Sequence, residues 1–395
     1  MASGPETTIV IGPARGTRPA NRRELIVRAA SELFYRKGYA TVGMGEVAAA
    51  VAIGPSALYR HFRGKQDLLA TVVGDALTTI EAALAMTAAN DIGASLAAAS
   101  IAHRPVGVLW RREARHLSAE HRAAFRTLTH RIIERLVELV HERRPELNAA
   151  EADLLARCGL AVANSVSFHS LSLPEPGFAA LLDELVSVAV DAPIVLPEAV
   201  ANHAGQARLS MTRSRREAII AEAARLFARQ GFTGVSMDDI GEAVGITGPS
   251  VYNHFPGKTD ILLAVVFRGN EWLRMDMSRA FARAADAGDG LDRLLRSYGG
   301  FVAENPDLVQ ILVSETLHLP DADRHRARVA QHSYIAEWVG LARRVHPDWD
   351  PITARIRVQA AQTVLNELAL TTRIREVPGA DAAVLAVGAD LLAIR

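Results

Sequence analysis

Cysteine is almost missing from this chain: Cys158 is the only one in 395 residues. A single thiol excludes an internal disulfide, which fits a reducing, cytoplasmic setting. In an apolar helical stretch it reads as core before it reads as a redox sensor. Aromatic residues make up 5% of the chain. The alternating Val/Thr runs of a sheet protein are also lacking, while Ala and Leu are abundant. Together these exclude an all-β reading and predict an all-helical fold. There is no net charge to argue from, since 44 Lys and Arg balance 44 Asp and Glu. A nucleic-acid partner must therefore be argued from local charge and motif. No apolar run reaches the ~18 residues that span a bilayer, so no membrane association is expected. The first twenty residues lack a basic start followed by a long apolar stretch, and no cleaved secretion signal is expected there. Their Gly, Pro, Thr and Arg predict a flexible arm.

What the chain does have is itself, twice. Shifted by 193 positions, Arg22–Val73 lies on Arg215–Val266 without a gap, and 23 of the 52 pairs are identical. Farther on the register becomes 202, which leaves nine extra residues in the second copy. In this register Glu113, His116, His130 and Asn164 lie on Glu315, His318, His332 and Asn366. The repeat is thus a whole two-domain unit rather than a short motif. Between the copies, residues 192–212 carry two prolines and a glycine and lose helical period, which predicts a linker. Its roughly twenty residues reach at most about 70 Å, enough for the second unit to fold back on the first.

Each copy opens with a small domain. In the second, Arg216–Gln230 buries Ile219, Ile220, Ala223, Ala224 and Phe227 on one helical face. Gly231 is expected to end that helix in a left-handed cap. Ser236-Met-Asp-Asp239 has the form of a capping box opening a short helix, Met237–Val244. After a turn at Gly245, a third helix is expected over Gly248–His254, and Lys258 starts a fourth. The first copy departs twice: Gly43 replaces the capping Ser, and Ala52 replaces the turn Gly. If position 52 needs φ > 0, the strain is about 1 kcal/mol. Two short helices joined by a tight turn fit a DNA major groove. Local charge agrees, with eight Lys/Arg against three Asp/Glu over Arg22–Lys65. The second copy has only six against five over Arg213–Lys258.

The sequence Ile-x-x-Ala-Ala-x-x-Leu-Phe-x-x-x-Gly-Phe, then Ser-Met-Asp-Asp-Ile, then Val-Tyr-Asn-His-Phe-x-Gly-Lys-x-Asp-Ile-Leu resembles the TetR/AcrR family of bacterial regulators. Leu58-Tyr-Arg-His-Phe-Arg-Gly-Lys65 is its counterpart in the first copy. The resemblance spans about 50 residues per copy and is specific there; the rest resembles the family weakly. It implies an all-α chain of two tandem units. Residues 1–20 would be the arm and 21–74 the first helix-turn-helix DNA-binding domain, with its motif near 43–62. A helical ligand-binding and dimerisation domain would follow over 75–191. After the linker, 213–266 would repeat the DNA-binding domain (motif near 236–255) and 267–395 the larger one.

The resemblance also implies roles. The reading helices would be Pro55–His61 and Gly248–His254, with Tyr59 and Tyr252 on phosphate or a neighbouring base. Ser56, Ala57 and Arg60, and opposite them Pro249, Ser250 and Asn253, would specify sequence. Lys65 and Lys258 would meet phosphate. Leu58, Phe62, Val251 and Phe255 would be core, and His61 and His254 either contact DNA or pack on the next helix. Arg15, Arg18, Arg213 and Arg215 are candidates for minor-groove arms. In the large domains, Trp110, Trp272, Phe281, Tyr298, Phe301 and Trp338 are candidate pocket walls that would serve equally as bundle core, as would Met275 and Met277. Asn164 and Asn366 are candidate ligand contacts. Glu113 and His116 share a helix face; that pair and its repeat read first as structural hydrogen bonding, then as ligand or metal contacts. No phosphate loop, Ser-His-Asp order or paired carboxylates point to an enzyme, and no cofactor is expected. The function implied is a regulator of double-stranded DNA, a repressor released by a small apolar effector such as an acyl thioester (acyl-CoA) or another lipid-like metabolite. One chain would act as an intramolecular pseudodimer. The alternatives are a homodimer of chains with four readers, or a helical lipid carrier whose small domains are vestigial.

Overall fold

The computed structural model describes residues 21–197 and 214–394, and among them every regular element is a helix. Arg15, Arg18 and Arg213, and most of the linker, lie outside the described residues. In the first unit α1 (Arg22–Lys37), α2 (Met44–Ala50) and α3 (Pro55–Leu58) form the small domain. The larger domain consists of α4 (Lys65–Ala85), α5 (Ile92–Ala102), α6 (Val106–Glu113), α7 (Ala119–Arg143), α8 (Ala149–Asn164) and α9 (Gly177–Asp191). The second unit repeats them in order. Its small domain is α10 (Arg215–Gln230), α11 (Met237–Val244) and α12 (Gly248–Val251). Then come α13 (Lys258–Ala282), α14 (Ala287–Glu304), α15 (Pro306–Ser314), α16 (Asp321–Val345), α17 (Pro351–Leu370), the short α18 (Thr372–Arg375) and α19 (Ala380–Leu391). In the second copy two helices lengthen by eleven residues and the segment between them shortens by two, which gives the nine extra residues. α13 has 25 residues against 21 in α4, and α14 has 18 against 11 in α5.

Local chemistry explains several helix ends. Ser236 accepts from the Asp239 N–H (3.1 Å) and Asp239 accepts from the Ser236 N–H (2.7 Å), the reciprocal box that opens α11. Gly43 gives α2 no side-chain cap. The turn residue Gly245 sits at φ 72°, ψ 37°, and Ala52 is forced to φ 55° at the matching place. An L-residue pays about 1 kcal/mol there. Ala52→Gly is therefore expected to stabilise the first small domain by about 0.5–1 kcal/mol, read as a higher denaturant midpoint with an unchanged slope. Gly231 departs from expectation. Its φ is +75° but its ψ is 156°, outside the left-handed helical well, so the chain leaves α10 extended.

Helix α4 has the length and much of the apolar character of a membrane span, although charged residues interrupt its apolar run. It carries Asp75 and Glu81, and half of its apolar window is buried inside the protein, so it is a core helix. Cys158 is fully buried and its thiol pKa is pushed up by burial, which makes it core rather than a reactive group.

The two units pack on each other. Helix α8 lies against α17, and α9 lies against α19. Arg357 of α17 pairs with Glu184 of α9 across this face. The expected linker begins late: Ala192, Ile194 and Leu196 are buried, and the Leu196 N–H donates to Glu151 (3.1 Å). Apolar side chains hold this stretch on the first unit.

Near the end of α8, the Arg104 guanidinium donates to the carbonyls of Val166, His169 and Leu171, each at 2.7 Å. His169 Nδ1 accepts from the Leu171 N–H at 3.1 Å. Burial, then the neighbouring Arg104 and Arg355, push the His169 pKa down to about 3. The ring stays neutral in the fold while the unfolded chain takes up a proton below about pH 6.5. Stability is thus fully present above that pH and lost as pH falls toward 3. At pH 5 this one group is expected to cost roughly 2 kcal/mol. The check is His169 ring chemical shifts: a neutral ring at pH 5 in the folded protein agrees, and one titrating near 6.5 does not.

Candidate nucleic-acid interface and effector cavity

The reading elements are shorter than expected. α3 and α12 each span four residues, and the chain continues as a turn through His61 and His254. Leu58, Phe62, Val251 and Phe255 are buried at 0, 2, 0 and 2% exposure, anchoring each element to its domain. On the opposite side Tyr59 and Tyr252 are each 55% exposed. Two large aromatic side chains at repeat-related positions thus leave the same amount of surface open, which a core role would not. Ser56, Arg60 and His61 are exposed beside Tyr59, and Pro249, Asn253 and His254 beside Tyr252; Ala57 and Ser250 are half-buried. His61 and His254 are therefore not packing residues. Thr247 and Ser250 hydroxyls bond each other at 2.8 Å, which steadies the start of α12. Gly54 offers no such group at the start of α3.

The lysines have a role that the sequence reading did not include. Lys65 Nζ donates to the carbonyls of Tyr39 (2.8 Å) and Val42 (2.9 Å) and lies 4.4 Å from the Tyr39 ring centre. Lys258 does the same with Phe232 (2.7 Å), Val235 (2.6 Å) and the Phe232 ring. Burial lowers both pKa values. With two or three donors turned onto the loop between the first two helices, these ammonium groups brace the domain. Arg215 likewise reaches the Val244 carbonyl (3.3 Å).

The paired Glu-x-x-His segments join the large domains to the readers. Glu113 accepts from the Tyr39 N–H (3.2 Å), and His116 stacks on the Tyr39 ring at 4.8 Å. In the second unit Glu315 accepts from the Phe232 N–H (2.9 Å), and His318 stacks on Phe232 at 5.2 Å. Within each pair the His and Glu approach to 3.6 Å. Burial lowers the pKa of both histidines. His130 stands apart, paired with Glu134 at 3.2 Å, and among the described residues no group of three His, Cys, Asp or Glu is placed to hold a metal.

These segments also cross between units. Arg115 of the first pairs with the buried Glu315 of the second (2.7 Å) and lies under Gly231, where a Cβ would meet it at 1.8 Å. Leu317, the repeat counterpart of Arg115, lies 3.5 Å from where a Cβ of Gly38 would be. Burial raises the Glu315 pKa, but Arg115, the Phe232 N–H and Ser314 outweigh it and leave the carboxyl below its ordinary value.

A cavity of about 380 Å³ lies in the second large domain. Tyr298, Phe301 and Asn366 line it, as expected, and Tyr298 donates to Asn366 Oδ1 at 2.8 Å. The other candidates do not. Trp338 is fully buried behind the wall, edge-on to Tyr298 at 5.8 Å, and Phe281 and Met277 pack on the core. Trp272 and Met275 line a separate, more open cleft of about 540 Å³. Trp110 meets Phe125 in the first unit, and Asn164 lies there near Gly107. The unpredicted wall is Gln359, Gln362 and Thr363 on α17, together with Arg111 and Tyr35 from the first unit. The polar spacing 359, 362, 363, 366 on an apolar helix was a helical stripe open to reading in the sequence.

The family model described as bacterial regulatory proteins, tetR family, matches twice, at residues 26–72 and 219–265. The chain carries two TetR-type DNA-binding domains in tandem. Both matches end in the helix that carries the reader into the large domain. Among solved structures, the chain is similar to a TetR-family transcriptional regulator from Bordetella parapertussis 12822 (19% identity, 44% of this chain and 93% of that one, TM-score 0.42). It is also similar to the ketosteroid transcriptional regulator KstR2 of Mycobacterium tuberculosis (19%, 46% and 95%, 0.39) and to AibR, solved with isovaleryl coenzyme A and operator DNA (21%, 39% and 86%, 0.36). The two matches put one DNA-binding domain of a bacterial regulator in each unit.

Proposed function

We propose that this regulator binds its operator as a one-chain pseudodimer in the cytoplasm, with both reading elements on DNA, and is a repressor released by a small amphipathic effector. The observation that carries this reading is the packing of α8 on α17 and of α9 on α19. The last long helices of each unit bury one another within the chain, so a second chain is not needed to bring two readers together. Tyr59 with Ser56, Ala57, Arg60 and His61 would form one contact set, and Tyr252 with Pro249, Ser250, Asn253 and His254 the other. An effector with an acyl-thioester or lipid-like body would occupy the cavity beside Tyr298 and Asn366. Its volume is within the range of small-molecule sites. Binding would change the reader spacing that adjacent half-sites, one DNA turn apart, require.

The readers are unlike, and that gives the test. Arg60 suits guanine as a forked donor, whereas Asn253 suits adenine, and each such pair discriminates by about 1–3 kcal/mol. Selection from random DNA is expected to yield an imperfect palindrome with unlike halves. A strictly symmetric consensus would mean that two chains use the same reader.

A further inference from the structure

At two places where smaller side chains line the cavity of the second unit, the first unit carries aromatic rings. In the repeat register Trp110 stands at the place of Leu312, and Phe125 at the place of Ala327. Leu312 and Ala327 line the cavity. Trp110 and Phe125 instead meet edge to face at 6.1 Å, and Phe125 packs down to within 3.1 Å of where a Cβ of Gly74 would be. The polar lining is also one-sided, since Gln362 and Thr363 correspond to Leu160 and Ala161. The first unit thus has its space taken by two aromatic rings and lacks the Gln–Thr pair, although it keeps Asn164, Arg122 and Arg126 at the places of Asn366, Arg324 and Arg328.

The wall of the second unit's cavity is finished by the first. Arg111 and Arg112 of α6 and Tyr35 of α1 line it. Arg112 donates to the Phe34 carbonyl (2.7 Å) and Tyr35 to the Ser167 carbonyl (2.9 Å), so an occupant would touch the first reader's own helix. It would touch the second reader through Val309 and Val313 of α15, which packs on α10. Five arginines line the cavity; Arg111, Arg112, Arg274 and Arg324 are paired with Glu367, Glu113, Glu271 and Asp321, which leaves Arg328 without a carboxylate partner among the described residues. Asn270 Nδ2, also on the wall, is buried with no hydrogen-bond partner. One unpaired guanidinium, Arg328, and an unpartnered amide donor, Asn270, beside apolar side chains call for an anion on an apolar body.

We propose that each chain takes a single effector, an amphipathic anion, in the second unit's cavity, and that the first unit is a filled, non-sensing copy whose α1 and α6 complete that one site. The proposal rests on the effector reading above and deepens it. Decanoate serves as the probe, by calorimetric titration of the full chain. One decanoate per chain is expected. Leu312→Trp with Ala327→Phe, which copies the first unit's filling, is expected to weaken binding at least tenfold. Gln362→Leu with Thr363→Ala copies the first unit's lining at little change in volume and is expected to weaken it similarly, which guards against a filled variant that fails to fold. Two decanoates per chain, no binding, or binding that survives both paired variants overturns the proposal. Operator release is read separately: one decanoate bound at this site without loss of operator affinity would retain the single site and overturn the repressor-release reading instead.

Discussion

Replacing Tyr59 by Ala is expected to weaken operator binding about tenfold to hundredfold, and Tyr252→Ala is expected to do the same at the other half-site. The range corresponds to about 1–3 kcal/mol for a side chain at a DNA interface. Both rings are 55% exposed and neither supports the core, so the folds of the variants should be unchanged. The check is operator affinity at fixed salt, with thermal unfolding as the control for folding. Because two readers act on one site, the double variant should lose roughly the product of the two effects. Retention of wild-type affinity by either single variant would remove that reading element from the interface.

A second large effect is expected from Glu315→Leu. Glu315 is 1% exposed and accepts from Arg115, the Phe232 N–H and Ser314. Leucine would leave the Phe232 N–H unpaired and the Arg115 guanidinium facing apolar surface. Breaking one side of a buried pair costs about 3–5 kcal/mol, and the partial exposure of Arg115 (27%) places this one near the lower figure. Since the carboxylate joins both units to the second reader, denaturant unfolding should lose about 3 kcal/mol and operator affinity should fall as well. An unchanged denaturant midpoint would show that the cross-unit pair holds nothing together.

Much of this architecture was legible because it rests on local chemistry written twice. The Ser236–Asp239 box, the turn at Gly245 and the strained Ala52 are fixed by residues within a few positions of one another, so spacing alone identifies them. The buried Leu58, Phe62, Val251 and Phe255 follow from helical period in the same way. The bracing role of the lysines was missed because Lys65 and Lys258 stand at a helix start, where a cation is read first as a partner for phosphate. Their carbonyl partners lie more than twenty residues earlier, across a turn whose path no periodicity reveals. The cavity of the second unit was half legible. Tyr298, Phe301 and Asn366 were found by residue type, but large aromatic residues suit wall and core alike, and Trp338 proved to be core. Its other wall, Arg111 and Tyr35, belongs to the first unit and depends on how two units meet. The Glu315–Arg115 pair, 200 residues apart, is of the same kind.

The central claim is that one chain supplies both readers to one operator, and the most direct test is the mass of the complex. Light scattering or native mass measurement on the protein with its selected operator should show one 42.5 kDa chain per DNA duplex, and a single chain when DNA is absent. Two chains per operator, or a stable dimer at low concentration, would contradict the account and place four readers in the active assembly.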